Sequence, residues 1–185
     1  MVKPELKNGT VLLAEPFMMD PNFKRAAIML AEHSEEGTIG FILNRPVDMM
    51  INELVEDFPE ISAPVLYGGP VQTDTLHYLH NVGELLADSR EILPGIFWGG
   101  DFEQLKLLIE KGLIQPNDIR FYVGYSGWSK GQLIDEMKYG SWVTAPMDAN
   151  YLFSNKPEQL WSQVMVNKGD VYTVIADIPD GVSYN

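Results

Sequence analysis

Short β-prone apolar runs recur along the whole chain, at 10–14, 26–32, 38–44, 65–67, 75–80, 96–98, 119–125, 142–144 and 171–176, separated by clusters of Gly, Pro, Asn and Asp. Four stretches follow a helical spacing instead. Ile51, Leu54, Val55 and Phe58 stand at i, i+3, i+4 and i+7, so they share one face, and Pro59 ends the run. Asp101 is placed to cap a second helix, with Gln104 three residues on, an apolar stripe of Phe102, Leu105, Leu108 and Ile109, and Gly112 at its end. A third is expected from Ser129, with Gln132 in capping-box position, through Leu133 and Met137 to Gly140. A fourth opens at Pro157, whose missing N–H is harmless in a first turn, and carries Leu160, Trp161, Val164 and Met165 before Gly169.

Strand and helix do not alternate throughout, and pairs of strands lie close together in several places. The pattern therefore predicts an α+β fold, a mixed and mostly antiparallel sheet folded toward a pseudo-barrel with about four helices, over a doubly wound parallel sheet. Residues 81–94 form the longest stretch without an assigned element and read as a surface loop with a short turn. There is no repeat and no low-complexity tract.

Composition narrows the class. With 185 residues, 45% apolar and 21% charged, the chain suits one compact domain over 1–185 with a core of its own. Its longest apolar runs, 11–14 and 26–31, fall far short of the ~20 residues of a membrane-crossing helix. Lys3 and Lys7 have no apolar segment behind them, so no secretory signal is expected and the cytoplasm is the expected compartment. The absence of cysteine excludes disulfides, thiolate zinc sites and thiol catalysis. Thirteen Lys and Arg against twenty-six Asp and Glu give a net charge of −13, which repels phosphate backbones and argues against direct nucleic-acid binding.

Four groups of residues, in order, carry a family resemblance. The first is Gly9 to Glu15 with Pro16, Met18, Asp20 and Phe23; the second is His33, Gly37, Gly40 and Asn44-Arg45-Pro46. The third is Gly68-Gly69-Pro70-Val71 with Asp74, Leu76 and Leu79-His80; the fourth is Gly124-Tyr125, Gly127-Trp128, Gly131-Gln132-Leu133, Glu136 and Gly140-Ser141-Trp142. In these the chain resembles the AlgH/YqgE family of uncharacterised bacterial proteins. The resemblance implies an α/β arrangement with a sheet folded toward a pseudo-barrel. Some family members are labelled transcriptional regulators of alginate synthesis. The tail, 176–185, departs from the family's Pro-rich ending.

The segment Gly124-Tyr125-Ser126-Gly127-Trp128 differs from a hydrolase nucleophile elbow, G-x-S-x-G, at its last position, where Trp128 replaces the small residue that the tight turn needs. Two readings remain. It is either a structural strand-to-helix turn with an aromatic wall, or a turn whose backbone N–H groups at the start of the Ser129 helix hold an anion, with Gln132 and Glu136 adding polar contacts from one helix face. Asp74, His77 and His80 have metal-like spacing, but on a strand the two histidines point to opposite faces, and no metal is assigned. Arg45, at a strand end beside Asn44 and Pro46, is placed either to grip a carboxylate or phosphate through its planar fork or to pair with a surface acid. Gly68 and Gly69 suit a sharp turn or close backbone crossing.

The candidate ligand-binding residues are therefore Asn44, Arg45, Gly68, Gly69, Tyr125, Gly127, Trp128, Gln132 and Glu136. With no nucleophile–base pair and no credible metal set, the expectation is a non-catalytic binding or regulatory protein, without a cofactor, acting through a protein partner or a small anionic ligand. The alternative is a hydrolase using Ser126 or Glu136, with His33 or His80 as base.

Overall fold

The computed structural model describes residues 5–180. The strands are β1 (Val11–Ala14), β2 (Ala27–Ser34), β3 (Gly37–Ile42), β4 (Pro46–Met50), β5 (Pro64–Tyr67), β6 (Val71–His80), β7 (Arg90–Leu93), β8 (Ile96–Trp98), β9 (Ile119–Ser129) and β10 (Trp142–Ala145). The helices are α1 (Ile51–Leu54), α2 (Phe102–Glu110), α3 (Gln132–Lys138), α4 (Ala149–Leu152), α5 (Leu160–Lys168) and α6 (Val171–Ala176), with 3-10 turns at Pro116–Asp118 and Pro157–Gln159. Among the described residues no helix is long and apolar enough to cross a membrane. Residues 1–4, on which the reading of the N-terminus partly rests, and 181–185 of the tail lie outside the described residues.

One ten-stranded sheet runs in the order β10-β1-β2-β3-β9-β6-β8-β7, with β4 and β5 as a side ribbon. It is open, because β10 and β7 end the path without meeting. Pairing is antiparallel except between β5 and β9, which run parallel with Val65 opposite Phe121 and Tyr67 opposite Val123. The α+β class and the mixed, mostly antiparallel sheet agree with the sequence reading. The helix count rises from about four to six among the described residues, because α4 and α6 were not expected.

Alternation explains why β1 and β2 read as continuous apolar runs: both faces are buried. Val11, Leu13, Ala27 and Met29 join a core with Trp161 and Met165 of α5. Leu12, Ala14, Ile28 and Leu30 join a second with Trp128, Leu133 and Trp142. The strand β9 links the two ends of the sheet. Its first half pairs with β5 and β6, and its last four residues pair with β3, Gly37 opposite Ser129 and Gly40 opposite Ser126.

Three local expectations are corrected. The run 171–176, β-prone by composition, is helix α6: Tyr172, Ile175 and Ala176, at helical spacing, pack on the core, and tertiary contact overrides propensity. The segment 124–129 continues β9 as strand, so the expected strand-to-helix turn is absent, and α3 starts at Gln132 after Gly131 (φ 76°) instead of at Ser129. The first helix stops after one turn, at Leu54, although Ile51 and Phe58 are both buried as the stripe required. Strands β4 and β7 were missed, the latter inside the presumed 81–94 loop.

Candidate functional site

Asn44 and Arg45 sit in the connection from β3 to β4. Asn44 is buried and pins the neighbouring loop: its Oδ1 accepts from the Ala27 N–H at 3.0 Å, and its Nδ2 donates to the Arg25 carbonyl at 2.8 Å. Both bonds hold the turn that precedes β2, where Arg25 takes a positive φ of 52°. Arg45 Nη2 donates to the Lys24 carbonyl of the same turn. From the other side Tyr67 closes the arrangement, its N–H donating to the Arg45 carbonyl at 2.7 Å and its hydroxyl to Asn22 Oδ1 at 3.0 Å. The asparagine expected to bind ligand is a backbone clamp, and what it positions is basic.

Lys24, Arg25 and Arg45 consequently line one cleft of about 390 Å³, with Trp161, Ser162 and Asp180 among its other walls. Asp180 enters from the chain's C-terminal stretch, its Oδ1 2.7 Å from Lys24 Nζ and 3.9 Å from Arg25 Nε. Arg25 Nη2 donates to the Ile178 carbonyl at 2.5 Å, and its guanidinium lies 4.5 Å from the centre of the Trp161 ring, a cation–π distance. Arg25 Nε is buried without a hydrogen bond of its own to the described residues. Burial lowers the Arg45 pKa from its ordinary value, and Asp180 and Tyr67 oppose that shift. An arginine nevertheless remains charged at physiological pH. Thus three of the thirteen basic side chains of an acidic chain line one cleft together with two acids, Asp180 and Glu158. Of the residues lining this cleft, the sequence candidates included Asn44 and Arg45 but not Lys24, Arg25, Trp161 or Asp180. The available signal was that Lys24-Arg25 is the single adjacent basic pair in the sequence.

The remaining candidates do not line this cleft. Gly68 and Gly69 make a backbone crossing: a Cβ on Gly68 would stand 2.4 Å from the Gly124 carbonyl oxygen, and one on Gly69 2.2 Å from the Tyr125 carbonyl carbon. Tyr125 packs edge-on to His77 with ring centroids 5.8 Å apart, and Gly127 pairs with Ile39 in the sheet. Trp128, Gln132 and Glu136 form a closed network. Glu136 Oε2 accepts the indole N–H of Trp128 at 3.0 Å and of Trp142 at 2.7 Å, while Oε1 accepts from Gln132 Nε2 at 3.0 Å. Gln132 in turn accepts the Ser129 N–H at 3.0 Å, so the reach back to Ser129 exists although Ser129 does not cap the helix. Phe23, the neighbour of Lys24, stacks on Trp128 with centroids 6.4 Å apart and meets Trp142 edge-on at 5.7 Å. The two motif regions touch through that ring.

Ser126 is 0% exposed and its hydroxyl donates to the Gly68 carbonyl at 3.1 Å. The histidines are engaged elsewhere. His33 Nδ1 is 2.7 Å from Thr38 Oγ1, at the edge of a shallow depression shared with Lys130. His77 Nε2 is 3.1 Å from Thr75 Oγ1. His80 is fully buried, with Nε2 2.7 Å from the Gly99 carbonyl and Nδ1 accepting the Val82 N–H at 3.3 Å, which fixes the neutral Nε2–H tautomer. Strand β6 separates His77 and His80 into different surroundings, Phe41 and Tyr125 around the first, Phe97 and Tyr78 around the second.

Known proteins share this architecture. The chain matches the model of a family described as AlgH-like over residues 11–173. A "UPF0301 protein" of Chlorobaculum parvum is 46% identical over 175 residues, 95% of this chain and 94% of its own. A relative from Cytophaga hutchinsonii is 36% identical over 94% of this chain and 96% of its own. The solution structure of AlgH from Pseudomonas aeruginosa superposes with a TM-score of 0.73 at 29% identity, covering 97% of both chains. A crystal structure from Corynebacterium diphtheriae, 21% identical, reaches 0.78 over 96% of this chain and 95% of its own and shares the fold. The protein thus belongs to the AlgH-like family.

Proposed function

We propose that this is a non-catalytic binding protein of the cytoplasm, acting as one domain, whose Lys24, Arg25 and Arg45 cleft takes a carboxylate-bearing ligand. The observation that carries the reading is the convergence of three cationic side chains on Asp180 in a chain of net charge −13. A surface so acidic repels anions generally, so a basic concavity in it is selective by contrast. Arginine forks match carboxylates, and Trp161 offers an apolar wall to the rest of the ligand. The ligand is a small anion or an acidic segment of a protein partner, and the tail's Asp180 stands where its carboxylate would lie. Any part in transcription is then indirect, through that partner and without contact to nucleic acid.

The hydrolase reading has less support. A nucleophilic serine needs a base within hydrogen-bond reach, and Ser126 is buried with its hydroxyl committed to Gly68. Both Glu136 oxygens are held by indole and amide donors.

A thermal-shift series with succinate tests the proposal. Wild type is expected to gain stability saturably with succinate, and Arg45→Ala to lose that gain. Equal response, or none, in both proteins contradicts it.

A further inference from the structure

Behind the Asn44-Arg45-Pro46 peptide lies a second cavity, of about 190 Å³, into which Pro46 also faces. Its charged wall is Arg120 of β9. This side chain is 7% exposed, and among the described residues it makes no ion pair. Arg120 Nη1 donates to the carbonyls of Pro116 at 2.7 Å and Ile119 at 2.9 Å, and the guanidinium sits 5.4 Å from the centre of the Phe153 ring. Nε and Nη2 make no further hydrogen bond to the described residues. A buried cation is costly unless an anion or several acceptors compensate it, and two carbonyls on one nitrogen leave most of the fork unused. Burial accordingly lowers the Arg120 pKa.

The neighbouring residue on the same strand face reinforces the point. Tyr122 is fully buried, and its hydroxyl finds no hydrogen-bond partner among the described residues. It belongs to the same core cluster as Leu43, Leu66 and Leu152, which are three of the cavity walls. Thus β9 carries, two residues apart, a guanidinium with only one nitrogen hydrogen-bonded and a buried hydroxyl without a partner among the described residues, and the guanidinium lines the cavity.

We propose that this cavity is a binding site for a small monocarboxylate carrying a short apolar body. The cavity is smaller than the roughly 300–1,000 Å³ of sites for drug-sized ligands. Three leucines and four prolines make most of its walls, and Ser62, Asn117, Ser154 and Asn155 supply neutral polar groups. One arginine fork suits one carboxylate, held by two parallel N–H···O bonds. A phosphate dianion would want charged donors on several sides, whereas this cavity has one guanidinium, and its leucine and proline walls would face the remaining oxygens. The carboxylate would bridge the free face of the guanidinium while the body packs on Leu43, Leu66 and Leu152.

The test is an NMR titration of the full-length protein with butyrate and, separately, inorganic phosphate, following the Arg120 Nε–H signal and the backbone amides of 152–155. Butyrate is expected to shift these signals saturably at millimolar concentration and phosphate to shift them far less. Arg120→Gln is expected to weaken butyrate binding at least about tenfold, the size of one lost charge-assisted contact. Ser154→Phe, which fills the cavity and leaves the arginine in place, is expected to abolish it, so the outcome stands even if Arg120→Gln does not fold. Arg45→Ala is expected to leave the butyrate response intact, which separates this site from the basic cleft. Unshifted signals in wild type, a response that survives Ser154→Phe, or phosphate binding as well as butyrate would each overturn the proposal.

Discussion

Lys24 Nζ lies 2.7 Å from Asp180 Oδ1, joining the loop before the second strand to a carboxylate at the far end of the described chain. Both partners are substantially exposed, 42% and 62% of their side chains. A pair of that kind contributes about 0–1 kcal/mol, so displacing it costs a competing carboxylate little. Asp180→Asn is therefore expected to change unfolding free energy by less than about 1 kcal/mol while tightening succinate binding several-fold. Paired urea denaturation and calorimetric titration check the two halves. A large stability loss with no gain in affinity would make Asp180 a structural anchor instead of a stand-in for ligand.

Glu136 supplies the acceptor for two buried indoles at once, Trp128 at 5% and Trp142 at 4% exposure. Glu136→Ala strands both N–H groups, and with about 1–3 kcal/mol for each unsatisfied buried donor the loss should reach about 2–4 kcal/mol in urea denaturation. Glu136→Gln keeps an acceptor oxygen but not the charge, so its loss should be smaller. The ligand response of the basic cleft should persist in the glutamine variant.

The crossing of Gly69 over the strand at Tyr125 leaves no room for a side chain. Gly69→Ala would place its Cβ 2.2 Å from the Tyr125 carbonyl carbon, on a residue whose φ is already +152°. Backbone on both sides must move, so a loss of about 3 kcal/mol is expected, at the upper end of ordinary overpacking. Denaturation midpoints would check this, with Gly95→Ala as a comparison, since open space surrounds Gly95 and only its φ of +84° is strained.

His80 gives stability a pH dependence of known sign. Burial holds its pKa below the usual 6.5, only partly opposed by its bond to the Gly99 carbonyl. Below about pH 6.5 the unfolded chain takes up a proton that the native state resists, so stability is intact above that pH and falls as pH drops toward the lower folded-state value. His77, also lowered by burial, acts in the same direction. The slope from His80 should approach at most about 1.4 kcal/mol per pH unit. Denaturation of wild type and His80→Gln between neutral and mildly acidic pH should show the steeper loss in wild type.

Most of the sheet was legible in the sequence because its strands are bounded by turn residues and carry β-branched apolar runs. The α2 helix was equally plain: Asp101 Oδ1 accepts the Gln104 N–H at 2.8 Å, the capping contact that spacing implied. What propensity could not show was tertiary. Val171 to Ala176 has a strand's composition, yet it folds as a helix because Tyr172 and Ile175 meet the core one turn apart. Glycines in GYSGW suggested a turn, but the segment is strand, and Gly124 is where it passes close to Gly68 and Gly69.

The lining of the proposed cleft was legible only in part. Arg45 stood out because Pro46 and a strand end fix it, whereas Asp180 is far away in sequence and no local pattern ties it to Lys24. Arg120 gave no signal at all, since one arginine inside a β-run reads as an exposed strand residue. Only the packed structure shows that it is buried and, among the described residues, makes no ion pair.

The basic cleft is tested most directly by a succinate titration followed through backbone amide signals of Lys24, Arg25, Arg45 and Asp180. Saturable shifts concentrated on these four residues, lost in Arg45→Ala and weakened by salt, are the predicted result. Shifts that are absent, or that persist unchanged without the Arg45 guanidinium, would contradict a carboxylate-binding cleft.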